Sequence, residues 1–458
     1  MKNKLNQITE KAKRDKRLKF TSLIHHINEV NLAQCYSELK KDKASGIDGI
    51  TVEEYGRNLE GNIRQLVCKL KSKEYRPQPV RRVYIPKAGS DEKRGLGIPA
   101  VEDKLVQIML KKILEAIFET DFVDFSYGFR PKQSCTKAIM RLNEEVMHKP
   151  INFIVEVDIR KFFDSVSHYW LQRCLEERIA DQNLLWLVRR FLKAGVIENG
   201  EFQASELGTP QGGVISPLLA NIYLHYVLDI WLERKFKPKA KGYMQCIRYC
   251  DDFVVCCESE HDAKELLKSL EERLSKFGLA VSPKKTKIVK FGRGVWQRSK
   301  KIGKKPDTFS FLGFTHCCAA SRQGYFMMVH KTSKENLRRK LKEVQEWLKK
   351  VRSFAPLKEW WQILKSKLVG HYNYFGISGN YRCLKQFYYR VIWMAFKWIN
   401  RRSQRKSMTA EMFFQYMEWN PLPTPRICHK LYVLRSNGNA LLKSRMWANH
   451  KYGSVGEA

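Results

Sequence analysis

The segment that decides the fold is Cys246-Ile-Arg-Tyr-Cys-Asp-Asp-Phe-Val-Val-Cys-Cys257, in which two short β-rich runs flank a polar pair. Such a pattern is typical of a β-hairpin, so Asp251 and Asp252 are predicted to lie at its tip. A second apolar run, Phe153-Ile-Val-Glu-Val, predicts a strand that ends at Asp158. If these strands belong to one sheet, the three carboxylates converge on one edge.

Carboxylates this close together repel one another and need cations. Their hard oxygen atoms suit Mg²⁺ or Mn²⁺, and two such ions can hold the attacking and leaving oxygens of a phosphoryl transfer. The alternative is that the Asp-Asp pair only makes a favourable turn.

The net charge points to a polyanionic partner. The chain has 458 residues, with 84 Lys+Arg against 47 Asp+Glu and a formal net charge of +37. Nucleic acid is the first candidate and an anionic membrane surface the second. An aromatic content of 12% excludes overall disorder. We expect neither a membrane span nor a secretory signal, because no apolar run approaches the roughly 18 residues of a span and the N-terminus is polar.

The twelve cysteines do not predict a zinc or disulfide framework. No C-x-x-C occurs, and the adjacent pairs Cys256-Cys257 and Cys317-Cys318 cannot clamp one tetrahedral zinc. Reduced thiols in a cytoplasmic protein are therefore expected.

Charge and aromatic residues concentrate toward the C-terminus. Residues 331–458 hold 26 Lys+Arg, 7 Asp+Glu and 21 of the 54 aromatic residues. Basic residues among aromatics suit a surface that holds phosphates and stacks on bases, although the aromatics at helical spacing also predict a core. Apolar stripes predict helices over 337–351, from Leu357 to near Gly370, and over 384–399. The segment Arg298–Lys305 is predicted to be a basic loop.

Several ordered motifs resemble those of reverse transcriptases, and in particular group II intron-encoded proteins. Tyr249-Cys-Asp-Asp252 resembles the Tyr-x-Asp-Asp signature, and Val157-Asp-Ile-Arg-Lys-Phe-Phe-Asp164 resembles the first catalytic motif. Gly208-Thr-Pro-Gln-Gly-Gly-Val-Ile-Ser-Pro-Leu-Leu-Ala-Asn221 is similar to the nucleotide-pocket motif. Further matching blocks, in the right order, are Ala44–Gly49, Val83–Lys87 with Arg94–Pro99, Ser126–Pro131 and Phe311–Phe314.

The resemblance implies an α+β fold with right-hand polymerase fingers and palm, a helical thumb and a small basic tail. Residues 1–150 would be an N-terminal extension and fingers, 151–330 the palm with finger elements, 331–400 the thumb or maturase domain, and 401–458 a basic nucleic-acid-binding segment. The family's endonuclease domain is expected to be missing.

The resemblance also assigns roles to individual residues. Asp158, Asp251 and Asp252 would be the catalytic metal ligands. The dNTP-binding set would be Lys87, Arg94, Phe163 and Gln211, with Phe163 as the steric gate against a ribose 2′-OH. The primer grip would be Phe311, Leu312, Gly313 and Phe314. RNA or DNA would contact Arg401, Arg402, Arg405 and Lys406. The alternatives are core packing for Phe163, a simple bulge at Gly313 and a solvated helix end for the basic run.

The implied function is that of an RNA-directed DNA polymerase that uses dNTPs and Mg²⁺ or Mn²⁺. Its implied partners are an RNA template with a DNA primer, a structured intron RNA and a DNA target, with roles in splicing and retrohoming. A bacterial, nucleoid-associated location is implied as well. Two alternatives stay open: an intron-free relative that serves defence or DNA repair, and a splicing maturase that acts mainly by binding RNA. The intact acidic residues argue against loss of catalysis.

Overall fold

The computed structural model describes residues 2–86, 93–198, 201–204, 206–209, 212–401 and 408–431. The helices within these ranges are α1 Lys2–Arg14, α2 Glu29–Ser37, α3 Val52–Gly56, α4 Leu59–Lys71, α5 Val101–Phe118, α6 Cys135–His148, α7 Phe162–Ser165, α8 His168–Glu176, α9 Gln182–Leu192, α10 Ser216–Leu224, α11 Glu260–Ser275, α12 Arg293–Lys301, α13 Lys334–Val351, α14 Leu357–Phe375, α15 Tyr381–Ile399 and α16 Ala410–Trp419. The strands are β1 Val80–Pro86, β2 Lys93–Ile98, β3 Phe153–Asp158, β4 Val196–Glu198, β5 Glu201–Gln203, β6 Met244–Tyr249, β7 Asp252–Cys257, β8 Lys287–Lys290, β9 Phe309–Phe311, β10 Phe314–Ala320 and β11 Phe326–Thr332.

The described strands form three sheets. Their strand orders are β2-β1-β4-β5, β6-β7-β3-β8 and β11-β10-β9. Strand β3 pairs antiparallel with both β7 and β8, which places it inside the second sheet. The strand pattern around residues 246–257 and 153–158 is therefore confirmed, and both segments belong to one sheet as expected.

Helices cover this second sheet because its strands are apolar on both faces. In β7, all five residues from Phe253 to Cys257 are buried, a run typical of a strand that is packed on two sides. One face packs against the large core formed by helices including α5, α8, α9, α10 and α11. The sheet is thus rigidly held, and the chain ends that project from it are positioned by a dense interior.

The C-terminal part of the described chain is a helical region, residues 334–401 and 408–419, which comprises α13 to α16. Ser333 caps α13 by accepting a hydrogen bond from the Asn336 N–H, and Pro356 precedes the first residue of α14. Trp360, Trp361 and Tyr372 are among the largest buried side chains in its core. That core extends to Phe314 of β10, so the helical region packs directly against the third sheet.

Two predicted boundaries were wrong. Helix α14 does not end near Gly370 but continues to Phe375. A glycine inside a helix costs about 1 kcal/mol, and burial of Tyr372 and Phe375 in the next turn outweighs that cost. The first half of the segment predicted as a basic loop, Arg298–Lys301, is instead the last turn of α12, a helix in which Val295 is buried.

The prediction of an α+β fold is confirmed. None of the helices in the described ranges is both long enough and apolar enough to cross a membrane.

Candidate active site

The structure brings the three predicted carboxylates to one edge of the second sheet. Asp158 ends β3 and lies directly opposite Asp252, the first residue of β7. Tyr249 pairs with Asp252 across β6 and β7, so Cys250 and Asp251 form a two-residue loop. We call this segment the first turn (Tyr249–Asp252). Directly opposite residues have Cα atoms about 4.5–5.5 Å apart, which makes neighbours of acidic groups 94 residues apart in sequence.

Asp252 lies in a negatively charged environment. Solvent reaches its side chain, but protein atoms crowd it, and this desolvation, followed by the charges of Asp251, Glu156 and Asp158, raises its pKa to about 7. Like charges at short range favour the protonated form. The arrangement is therefore one that a nearby cation would stabilise.

The Asp158 carboxylate is paired with a lysine. Lys285 Nζ lies 3.2 Å and 3.3 Å from its two oxygens, and the Asp158 carbonyl accepts a hydrogen bond from the Ser282 N–H at 2.7 Å. The Lys285 side chain is 59% exposed, so this pair is a weak surface interaction. Lys285 was not predicted from the sequence, where it is one of many exposed lysines.

The carboxylate oxygens at this edge of the second sheet are suitable ligands for a divalent cation. Across the part of the chain that is described, no three His, Cys, Asp or Glu side chains stand in an arrangement that would hold a metal ion. The three aspartates nevertheless offer hard oxygen ligands, and the pKa of Asp252 is raised first by desolvation and then by its acidic neighbours. Asp158 and Asp252 are exposed enough to turn toward a shared ion.

A buried ion pair supports the first turn from beneath, and sequence reasoning missed it. Arg248 and Asp229 are both fully buried, and Arg248 Nε donates to Asp229 Oδ1 at 2.7 Å. Arg248 Nη1 also donates to the Cys250 carbonyl at 3.0 Å, which lies in the turn itself. The available signal was an arginine within an apolar strand, because a buried charge requires a partner.

The same arginine joins two other sequence motifs to the first turn. Its guanidinium donates to Ser126 Oγ at 2.7 Å and to Asn221 Oδ1 at 3.0 Å. Asn221 Nδ2 in turn donates to the Gly128 carbonyl at 2.6 Å. A Cβ atom on Gly128 would lie 2.3 Å from the Cys250 nitrogen, so only glycine permits this approach. The Ser126–Pro131 and Gly208–Asn221 blocks are thus braced against the carboxylates.

Phe163 lies in α7, immediately beyond Asp158, as the sequence placed it. Its ring is partly buried and contacts the large core, and its carbonyl accepts a hydrogen bond from the Thr209 N–H at 2.8 Å. Gly212 of the same block is held at φ +109°, and a Cβ there would lie 2.3 Å from the Gly97 carbonyl oxygen. The glycine therefore permits contact with β2. The gate role of Phe163 stays a prediction.

A second turn approaches the carboxylates from the third sheet. Phe311 pairs with Phe314, and Leu312 and Gly313 form a two-residue loop with φ values of +50° and +81°. Positive φ at both loop positions is typical of a type I′ hairpin. We call this segment the second turn (Phe311–Phe314). The Leu312 N–H lies close enough to the Asp252 carboxylate to favour its charged form, so the two turns are neighbours.

The helical region holds the second turn from its other side. Tyr374 Oη donates to the Leu312 carbonyl at 3.2 Å, and Asn336 Nδ2 donates to the Gly313 carbonyl at 3.4 Å. Burial raises the pKa of the Tyr374 phenol, so the hydroxyl keeps the proton that it donates. Neither residue was predicted to belong to the site, because helical periodicity does not show which side chains of a helix reach a turn in another part of the chain.

The remaining predicted residues are only partly described. Five of them lie outside the described residues, namely Lys87, Gln211, Arg402, Arg405 and Lys406. The backbone of Arg94 pairs with Ile85 in the β1–β2 hairpin, and its side chain is not among those described. Arg401 is exposed after the end of α15 and packs on Trp398, with 5.6 Å from its guanidinium carbon to the ring centroid.

Comparison with known proteins decides the family. Residues 85–316, just over half of the chain, match the family model for reverse transcriptase (RNA-dependent DNA polymerase). The chain belongs to the reverse transcriptase family. The matched segment contains all three carboxylates and both turns, and it ends before the helical region begins. Reverse transcriptases use divalent metal ions and act on nucleic acids, which agrees with the acidic edge and the net positive charge.

Several of the individual relatives that the chain resembles are intron-encoded proteins or intron maturases. The chain is 36% identical over 268 residues to the group II intron-encoded protein LtrA of Lactococcus lactis subsp. cremoris, covering 56% of this chain and 44% of the relative. It is 30% identical over 345 residues to a 91 kDa protein in the cob intron of Schizosaccharomyces pombe, and the match covers 63% of this chain and 42% of the relative. Nuclear intron maturase 4 of Arabidopsis thaliana is 30% identical to this chain over 134 residues, which cover 29% of this chain and 16% of the maturase. Each match spans less than half of the relative's length.

Proposed function

We propose that this chain is an RNA-directed DNA polymerase that extends a DNA primer on an RNA template with dNTPs. The observation that carries the proposal is the strand register, which sets Asp158 opposite Asp252 and Asp251 in the adjoining loop. This is the arrangement that in-line phosphoryl transfer requires of its metal-holding carboxylates. The family membership supports the same reaction.

In this proposal, Asp158, Asp251 and Asp252 hold Mg²⁺, with Mn²⁺ as a substitute. The bound ions would supply activation of the primer 3′-hydroxyl and stabilisation of the developing negative charge. Lys285 releases Asp158 when a cation binds, since its exposed pair is weak. The Leu312 N–H lies near the Asp252 carboxylate and favours its charged form, and the second turn would place the primer end beside that carboxylate.

The proposal also includes the roles that the sequence motifs predicted for the other regions and residues. Residues 1–150 act as the N-terminal extension and fingers, 151–330 as the palm, 331–400 as the thumb and 401–458 as the basic nucleic-acid-binding segment. Lys87, Arg94 and Gln211 contact the incoming dNTP. Phe163 excludes the ribose 2′-OH. The position of Phe163 beside the Gly208–Asn221 block supports its role.

We also propose that the chain binds a structured intron RNA and assists its splicing, with a DNA target in retrohoming. The support is the relatives' own descriptions, which name a group II intron-encoded protein and an intron maturase. The charge is consistent with this role, because residues 331–458 carry 26 Lys+Arg against 7 Asp+Glu.

The deciding experiment replaces Asp158 by alanine and measures primer extension on an RNA template with Mg²⁺. We expect extension to fall by about 10²–10³-fold, the scale seen when a group that stabilises transition-state charge is removed. Asp307→Ala, at an exposed position outside the site, is the matched control and should extend normally. Near-normal extension by a folded Asp158→Ala protein would refute the proposal.

A further inference from the structure

A groove in the helical region lies next to the second turn and has no role in the reaction described above. It is a cavity of about 490 Å³ between α13 and α14, with Phe387 of α15 at its base and Gly313 at one end. It is open because Gly370 has no side chain, and a Cβ at that position would meet nothing within 4 Å. Its volume falls in the range of small-molecule sites.

The base of the groove contains an unpartnered histidine. His371 is 6% exposed, and neither ring nitrogen has a hydrogen-bond partner. Its ring stacks on Phe387 with centroids 3.7 Å apart, which fixes its plane. Burial lowers its pKa to about 3, so the neutral ring offers one donor and one acceptor. Buried polar side chains in native proteins are nearly always paired, with protein or with water, so this ring keeps hydrogen-bonding capacity that a bound molecule can use.

The rim of the groove is positively charged. Arg339, Lys340 and Lys367 line it together with a single acidic residue, Glu343. Glu343 pairs with Arg339 at 2.6 Å and with Lys340 at 2.8 Å. Lys367 lies over the Trp347 ring. The rim therefore keeps excess positive charge for an anionic group.

We propose that this groove binds a single nucleotide, with the base against His371 and the phosphate on Lys340 and Lys367. A base carries donors and acceptors on its edge, and one of these can pair with a single imidazole nitrogen once a small movement of the ring uncovers it. Tyr374, which is 44% exposed at the groove, offers a ring face for contact with the base. The nucleotide comes either from solution or from an unpaired position in a bound strand. This binding does not require the polymerase reaction.

The test uses the full chain carrying Asp158→Ala, in EDTA, so that the carboxylate site does not contribute. In one arm, dAMP is titrated and followed by saturation-transfer NMR. In the other, a primer–template with an unpaired 2-aminopurine near the primer 3′ end reports by fluorescence. We expect a saturable response in at least one arm, and that arm identifies the source of the nucleotide.

Two variants remove the site without loss of the fold. Gly370→Leu fills the groove and raises helix propensity. His371→Phe keeps the stack on Phe387 but removes the unpartnered nitrogens, so its melting temperature should rise. Each should weaken binding at least about tenfold. Ser366→Leu, on an exposed position of the same helix, is the matched control and should bind normally.

Three results would overturn the proposal. The first is no saturable response in either arm, which would mean that the groove holds only solvent. The second is a response that Gly370→Leu and His371→Phe leave unchanged. The third is displacement of dAMP by an equal concentration of inorganic phosphate, which would make the groove an anion site with no recognition of a base.

Discussion

The two turns that meet at Asp252 are built alike but held differently. Both are two-residue hairpin loops with a non-glycine residue at positive φ, Cys250 at +60° and Leu312 at +50°. The first turn is held from within its own sheet by Arg248, which is fully buried. The second turn is held from outside by Tyr374, a side chain of the helical region that is 44% exposed.

This difference predicts different behaviour of the two turns. A buried, fully paired network rigidifies its surroundings, so the first turn should keep its geometry in all states of the protein. Interactions of a part-exposed side chain are weaker and easier to break. The second turn should therefore follow the helical region, and it can pass a movement of that region to Asp252 through Leu312.

Breaking the buried ion pair should have the largest effect. Arg248→Met leaves the Asp229 charge buried and unpaired, and the free energy of unfolding should fall by about 3–5 kcal/mol. Extension should be lost with it, because the first turn loses its support. Urea unfolding measures the stability, and Arg298→Met, at an exposed position, is the control.

The double variant Arg248→Met with Asp229→Leu separates the effect of Arg248 on the position of the first turn from its effect on the stability of the protein. Removal of both charges should recover much of the unfolding free energy. Extension should stay low, since the hydrogen bonds to Cys250, Ser126 and Asn221 are still missing. Recovery of both properties together would show that Arg248 acts only on stability and does not position the turn.

A Phe163 variant tests whether the residue that selects the sugar of the incoming nucleotide lies near the rigid first turn. Phe163→Ala should raise rNTP incorporation relative to dNTP at least about tenfold, equal to about 1.4 kcal/mol of lost discrimination, because the ring no longer collides with the 2′-OH. Steady-state incorporation of matched rNTP and dNTP measures the ratio. An unchanged ratio in a folded variant would assign the ring to core packing alone.

The second turn should respond more mildly to loss of its support. Tyr374→Phe removes the hydrogen bond to Leu312 but keeps the ring, so the cost should be about 0.5–1.5 kcal/mol. We expect the KM for primer to rise by more than kcat falls, since the turn is proposed to place the primer end. Tyr389→Phe, at an exposed position of α15, is the control. An unchanged KM with reduced stability would make Tyr374 merely structural.

The smallest effect on extension should come from the basic run after α15. Replacing Arg401, Arg402, Arg405 and Lys406 by glutamine should make the salt dependence of RNA binding shallower, by about 0.7–0.9 in log–log slope per lost phosphate contact. Extension of a short, saturating primer–template should change little. Filter binding over a salt series measures the slope. A slope equal to that of the unaltered chain would show that these residues are only the solvated end of a helix and do not contact RNA.

Prediction from sequence succeeded where local pattern and packing agree. The hairpin around Asp251 and the strand that ends at Asp158 were predicted from short apolar runs, and the helix over 337–351 from periodicity. Most of the apolar positions that defined them are buried. It failed at Gly370 and at α12. In both places the burial of a few side chains overrides a local signal that favours a helix end or a loop.

The sequence by itself determined the class of chemistry and the family. Motif order along the chain is a one-dimensional property, and so are net charge and the spacing of apolar residues. Only the tertiary structure decided what supports the carboxylates and which turn the helical region controls. Arg248, Tyr374 and His371 reach their partners across 19, 62 and 16 residues. Such contacts depend on the direction and burial of side chains after the chain has folded, and no local pattern encodes them.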